Sequence, residues 1–206
     1  RHLRAFAKGE LPKADAPHDK VLLPLDVLAE VEKEKAEKEQ ALARAEREHQ
    51  VAEAAVARAE ALALEFAERA AKAALEGRVE EARQDFAKAH QGTTNLRVLY
   101  LAYSFYRRTG DLTTAEEMLE RFLAVSGRDA ETADTAAALG NLGLIYRTRG
   151  ELDRAEEMHK KSLAIEEKLG RQEGMANQYG NLGLIYLTRG DLDRAEEMLK
   201  KSRVIY

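Results

Sequence analysis

GNLGLIYRTRGELDRAEEMHKKS, residues 140–162, decides the fold because it returns as GNLGLIYLTRGDLDRAEEMLKKS at residues 180–202. Only three of the 23 aligned positions differ between the two copies. The copies begin at residues 140 and 180, so the repeat distance is 40 residues. A fixed period of this length is the signature of units that stack on their neighbours and bury a shared core.

Two further copies precede this pair. Residues 101–125, LAYSFYRRTGDLTTAEEMLERFLAV, fall into the same register one period earlier. Residues 76–91, EGRVEEARQDFAKAHQ, align Gly77 with Gly110 across 33 residues instead of 40. We therefore predict a degenerate repeat at 63–92, full repeats at 93–132 and 133–172, and a truncated repeat at 173–206, with further repeats expected to follow it.

Each copy reads as two helices joined by a tight turn. Apolar residues recur at three- to four-residue spacing on both sides of a glycine. The glycine can take the left-handed conformation that ends a helix, and the acidic residue after it suits the positive N-terminus of the next helix. A small alanine one turn later lets the paired helix approach closely. These positions are Gly110, Gly150 and Gly190; Asp111, Glu151 and Asp191; and Ala115, Ala155 and Ala195.

Two copies carry a motif that resembles the tetratricopeptide repeat family. Its L-G-x2-Y…A pattern stands as Leu142-Gly143…Tyr146…Ala155 and as Leu182-Gly183…Tyr186…Ala195. The 40-residue period and the N-L-G triplet are similar to the long-repeat branch that includes kinesin light chains, although the family's tryptophan is absent. The resemblance implies an all-α fold, an α-solenoid of antiparallel helix pairs, and a function in protein binding.

The region before the repeats is of a different kind. Residues 25–62 lack turn signals and are rich in Ala, Glu, Lys and Arg, which predicts one long helix, continuous towards Leu75. A seven-residue register can be laid through this helix, but two Lys and one His interrupt its apolar positions. Two interpretations stay open, a weak coiled coil or a helix lying against the solenoid. Residues 1–24, with all three prolines of the chain, predict an extended linker. The register runs through Leu28, Val31, Lys35, Lys38, Leu42, Ala45, His49, Ala52, Val56, Ala59, Ala63 and Phe66.

Composition narrows the functional classes. The net charge is −4 and Lys/Arg alternate with Asp/Glu, so the chain lacks the basic patch expected of a nucleic-acid or anionic-membrane binder. No apolar run approaches the roughly 18 residues that span a bilayer. The absence of cysteine excludes thiolate nucleophiles and Cys-based zinc sites, and it is compatible with the reducing cytoplasm, where we place the protein.

The sequence offers no catalytic set, so we predict neither an enzyme nor a cofactor. The five histidines share no metal-binding spacing. Paired glutamates recur with the repeat, which indicates a structural role because catalytic residues have no reason to recur. The pairs are Glu116 and Glu117, Glu156 and Glu157, and Glu196 and Glu197.

The remaining candidate is the inner groove formed by the first helix of each pair. In the long-repeat relatives, the resemblance implies that the Asn of N-L-G hydrogen-bonds the backbone of an extended peptide, for which an amide supplies both a donor and an acceptor. Arginines one turn onward would favour an acidic ligand. The alternative is that these side chains bond neighbouring helices or are solvated. The candidate residues are Asn141, Asn181, Arg147, Thr148, Thr188, Arg107 and Arg108.

The preferred interpretation is thus a protein-interaction module that binds a peptide or partner protein as part of a larger protein. Two alternatives stay open. The long helix or the solenoid ends could drive homo-oligomerisation, or the repeats could act as the sensor of an enzyme encoded in flanking sequence.

Overall fold

The computed structural model describes residues 25–205, and within that range the chain is α-helical with no strand. The linker predicted at 1–24 lies outside the described residues. The described residues divide into two units, with the boundary between residues 53 and 54. The helices are α1 Leu25–Leu75, α2 Val79–Ala89, α3 Leu96–Arg108, α4 Leu112–Ser126, α5 Ala133–Thr148, α6 Leu152–Lys168, α7 Gln172–Arg189 and α8 Leu192–Ile205.

The described part of the first unit is the beginning of α1, a single helix that continues without a break to Leu75. Its side chains between Leu28 and Glu53 are exposed. Ion pairs one turn apart support it, including Arg44 Nε to Glu48 Oε1 at 2.9 Å. Such exposed pairs contribute only about 0.3–0.5 kcal/mol each, so helix propensity and the pairs together maintain this segment.

In the second unit, polar caps and glycine turns set the helix ends. Asn95, Asp111 and Thr132 cap α3, α4 and α5, each accepting a backbone hydrogen bond from the first turn. The glycines predicted to end the first helices have φ of +83°, +79° and +76° at 110, 150 and 190. The residue after each glycine donates its N–H back to the tyrosine carbonyl five residues earlier, at 2.9–3.0 Å.

The helices pair as α3 with α4, α5 with α6, and α7 with α8, and we call the earlier member the first helix and the later one the second helix. Each second helix also packs on the next first helix, α4 on α5 and α6 on α7. The predicted stripe Leu142, Ile145 and Tyr146 is buried in this stack. The recurring alanines at 115, 155 and 195 are fully buried as well. The predicted all-α solenoid is confirmed.

The stack starts with the end of α1 and the short helix α2. Arg69 of α1 donates two hydrogen bonds of 2.5 Å to the Asp85 carboxylate of α2, and they hold the pKa of Asp85 below its ordinary value. Phe86 of α2 then packs on Phe105 of α3, with ring centroids 4.9 Å apart. The period is shorter here because α2 and α3 have 11 and 13 residues where α4 and α5 have 15 and 16.

Candidate functional site

A carboxylate on each of two second helices ties its repeat to the next. Glu116 of α4 accepts a 2.8 Å hydrogen bond from the Tyr146 hydroxyl and another from the Arg149 guanidinium. Burial would raise the pKa of Glu116, but these hydrogen bonds outweigh it and lower the pKa below its ordinary value. The Arg154 guanidinium lies over the Tyr146 ring at 3.8 Å from the centroid, which adds a cation–π contact.

The same arrangement recurs one period later. Glu156 of α6 accepts a 2.7 Å hydrogen bond from the Tyr186 hydroxyl and another from Arg189, and Lys160 pairs with it at 2.6 Å. Although burial opposes the change, these three donors lower the pKa of Glu156 to about 2. In both copies the Tyr and Arg follow the Glu by 30 and 33 residues. We call this contact the inter-repeat clasp. It explains the first glutamate of two of the three recurring pairs, Glu116 and Glu156.

The candidate binding residues all lie on the first helices. We use the term first-helix face for their positions there, which are Arg107 and Arg108 on α3, Asn141, Arg147 and Thr148 on α5, and Asn181 and Thr188 on α7.

The structure brings two of these residues together across neighbouring helices. Helices α5 and α7 contact each other directly, and Arg147 Nη1 lies 3.3 Å from Asn181 Oδ1, to which it donates a hydrogen bond. The Asn141 side chain is half-buried and has no hydrogen-bond partner among residues 27–205. The Asn141 amide therefore has all of its hydrogen-bonding groups available, whereas the Asn181 amide already accepts one hydrogen bond.

The threonines are engaged locally. Thr148 and Thr188 each donate a 2.9 Å hydrogen bond to the carbonyl four residues earlier in their own helix, at Leu144 and Leu184. Such back-bonding is usual for helical Thr. Their hydroxyl oxygens can still accept a hydrogen bond, but their hydrogens are already used.

The first-helix face has an uncompensated positive charge. Throughout the part of the chain that the structure describes, no carboxylate lies within ion-pair distance of Arg107, Arg108 or Arg147. Helix α3 contains no Asp or Glu at all. By contrast, Arg149 and Arg189 are held in the inter-repeat clasps. The face is therefore basic near α3, and it becomes apolar towards the exposed leucines of α7.

Among residues 25–205, no cluster of His, Asp and Glu has the arrangement of a metal site. None of the helices there combines the length and apolar character that crossing a membrane requires.

The family model for the tetratricopeptide repeat matches residues 96–168 and again 134–206, which together cover more than half of the chain. The chain belongs to the tetratricopeptide repeat family. No curated protein matches it significantly. Among solved structures, this tetratricopeptide repeat chain is similar to BtubC (BKLC) from P. vanneervenii, with 24% identity, a TM-score of 0.58 and 73% of each chain covered.

Two more solved structures share the fold. The kinesin light chain-like TPR repeats of a Podosopora anserina protein are 22% identical with a TM-score of 0.59, covering 69% of this chain and 74% of that one. MamA is 23% identical with a TM-score of 0.57, covering 69% of this chain and 77% of that one. At these identities the likeness shows the fold, and it confirms the predicted tetratricopeptide solenoid.

Sequence reasoning missed a buried polar pair between two repeats of this tetratricopeptide chain. His159 of α6 is fully buried, and its Nδ1 lies 2.8 Å from Gln178 Oε1 on α7. Within the described part of the chain, its Nε2 has no hydrogen-bond partner. Burial lowers the pKa of His159 to about 4, although the Gln178 contact opposes the shift. The signal was available, since His159 aligns with Leu199 at one of the three positions where the copies differ.

Proposed function

We propose that this protein-interaction module binds an extended acidic peptide on its first-helix face. The observation that supports this most directly is the set of three arginines, Arg107, Arg108 and Arg147, without carboxylate partners in the described residues. A guanidinium recognises carboxylates through charge-assisted, often bidentate hydrogen bonds. An acidic ligand would supply the counter-charge that residues 27–205 do not provide.

The asparagines would supply the second half of the recognition. Asn141 and Asn181 occupy equivalent positions on the adjacent helices α5 and α7. Packed helices lie about 8–10 Å apart, which is about the length of three residues of extended chain. The two amides could thus bond backbone groups about three residues apart, which would hold a strand-like ligand whatever its side chains.

A peptide selection tests the acidic preference. A library of random 12-residue peptides would be selected in parallel on residues 1–206 and on a variant with Arg107→Glu, Arg108→Glu and Arg147→Glu. We expect Asp and Glu to be enriched on the natural chain and Lys and Arg on the variant, with binding that weakens as salt is added. The same peptides emerging from both selections would contradict the proposal.

The exposed part of α1 favours a second candidate function, self-association. Leu28, Val31 and Leu42 lie in the predicted seven-residue register and are exposed. The last two register positions, Ala63 and Phe66, instead pack into the repeat core. Any coiled coil would therefore use the earlier part of the register.

A pair of substitutions tests whether self-association depends on the seven-residue register of α1 or on exposed apolar side chains in general. Leu42 lies in the register and Val51 outside it, and they are 62% and 70% exposed. If the register drives self-association, Leu42→Lys should lower the solution mass measured by light scattering at high concentration, whereas Val51→Lys should not. A mass equal to that of the monomer at every concentration would exclude this candidate.

A further inference from the structure

We propose that Arg147 is the specificity-determining residue of the first-helix face: it holds Asn181 in a hydrogen bond and releases that amide only to a ligand whose carboxylate binds the Arg147 guanidinium instead. This inference rests on the peptide binding proposed above and names the residue that selects the ligand. Acidity then becomes a condition for full use of Asn181, rather than a separate attraction added to the backbone hydrogen bonds.

The same pair of residue types occurs twice on the first-helix face, in two different states. Arg107 and Asn141 are 34 positions apart, as are Arg147 and Asn181. In the later pair, which we call the closed pair, Arg147 Nη1 donates to Asn181 Oδ1 at 3.3 Å. In the earlier or open pair, the Arg107 guanidinium lies 6.0 Å from the ring centroid of Tyr103 on its own helix, and Asn141 has no hydrogen-bond partner within the described part of the chain. The fold therefore permits the Arg–Asn contact without enforcing it.

The hydrogen bond of the closed pair is easily exchanged. At 3.3 Å it lies just beyond the usual range for an N–H···O hydrogen bond, and both residues are only half-buried. Its acceptor is a neutral amide oxygen, whereas a carboxylate accepts charge-assisted hydrogen bonds that are about twice as strong and often bidentate. No carboxylate of residues 27–205 lies within ion-pair distance of Arg147. A ligand carboxylate is thus the group that would draw Arg147 away from Asn181.

The state of the closed pair decides what Asn181 offers to a ligand. While Arg147 is bound, its positive charge lies beside Asn181 Oδ1 and opposes a ligand N–H that approaches the same oxygen. A neutral peptide therefore finds the complete amide at Asn141 but only the donor half at Asn181. An acidic peptide binds Arg147 through its carboxylate and finds both amides complete. The carboxylate contributes twice, once as a counter-charge and once by releasing Asn181.

Two peptides with opposite expected responses test this inference. One is an acidic peptide from the selection described above, and the other is the same peptide with every Asp and Glu replaced by Asn and Gln. Fluorescence anisotropy measures the binding of each to residues 1–206 and to Arg147→Ala. The acidic peptide should bind the variant about tenfold more weakly, because charge-assisted hydrogen bonds are lost. The neutral peptide should bind the variant about fivefold more tightly, because Asn181 is then free and one net hydrogen bond is worth about this factor.

The open pair provides the matched control. Arg107→Ala should weaken the acidic peptide as Arg147→Ala does, but it should not tighten the neutral one, because Asn141 is already without a partner among the described residues. Adding Asn181→Ala to Arg147→Ala should abolish the gain of the neutral peptide. Circular dichroism of each chain shows that the variants remain folded.

The outcomes separate this inference from the function on which it rests. If both arginine variants weaken the acidic peptide and neither tightens the neutral one, Arg147 acts only as a counter-charge, so the inference is wrong while the proposed function stands. The inference is also wrong if Arg107→Ala tightens the neutral peptide equally, or if the gain survives Asn181→Ala. If the selection yields no acidic peptide, or if neither arginine variant weakens one, the inference and the proposed function fail together.

Discussion

Replacing His159 with leucine and Gln178 with alanine should remove a specific pH dependence of stability. The pair of substitutions installs the Leu119 and Ala138 combination that the preceding repeat uses at the same positions. Burial lowers the pKa of His159 from about 6.5 to about 4 in the folded chain. Between these values the unfolded chain binds more protons, so the free energy of unfolding falls as the pH falls. At 1.36 kcal/mol per pKa unit, the loss amounts to about 3 kcal/mol by pH 4.

Urea unfolding at pH 7, 6, 5 and 4.5 measures this contribution as the difference between the natural chain and the double variant. Carboxylate titrations are common to both proteins and cancel in that difference. We expect the double variant to gain relative stability steadily below pH 6.5. If the free energies of unfolding of the double variant and the natural chain changed with pH in the same way, the His159 imidazole could not be buried and neutral as described.

Two further pairs of variants test close packing and the clasp. Gly143→Ala should destabilise the fold by about 1–3 kcal/mol, since its Cβ would lie 2.7 Å from the packed His159 ring. In Gly180→Ala the added Cβ would meet only the Ser202 hydroxyl, at 3.5 Å, so this substitution should stabilise the helix by up to about 1 kcal/mol. Thermal melts measure both variants, and equal changes for Gly143→Ala and Gly180→Ala would contradict this prediction. Glu156→Ala should cost about 2 kcal/mol in urea unfolding. Its exposed neighbour Glu157→Ala should cost clearly less, and similar losses would argue against the clasp. The folded pKa of Glu156 is about 2, so its contribution is complete above about pH 4.5 and is lost as the pH falls towards 2.

The repeat, its turns and its apolar stripe could be predicted because local chemistry determines them. Gly110 ends a helix through its own backbone freedom, and Tyr146 falls on the buried side by helical spacing alone. The clasp joins residues 30 and 33 positions apart, so its pairing depends on how the repeats stack. The sequence shows that Arg149 recurs as Arg189, but it does not show that these arginines pair with Glu116 and Glu156.

The seven-residue register of α1 shows a second limit of prediction from sequence. Its mixture of Ala, Lys and His satisfies a weak heptad and an amphipathic packing helix equally well, so the pattern alone could not choose. The structure places Ala63 and Phe66 against the repeat core and leaves Leu28 and Leu42 exposed. The same helix therefore has different surroundings at its two ends. On the first-helix face, the residues were chosen by family resemblance, and their role in binding stays a prediction.

Isothermal titration of a selected acidic peptide into the natural chain and into a variant with Asn141→Ala and Asn181→Ala tests the central claim most directly. Two backbone hydrogen bonds of about 1 kcal/mol each predict an affinity loss of about thirtyfold or more, with helicity and melting temperature nearly unchanged. Gln84→Ala, which removes an exposed amide from α2, is the matched control and should bind as the natural chain does. An unchanged affinity in the double Asn variant would contradict peptide binding on the first-helix face.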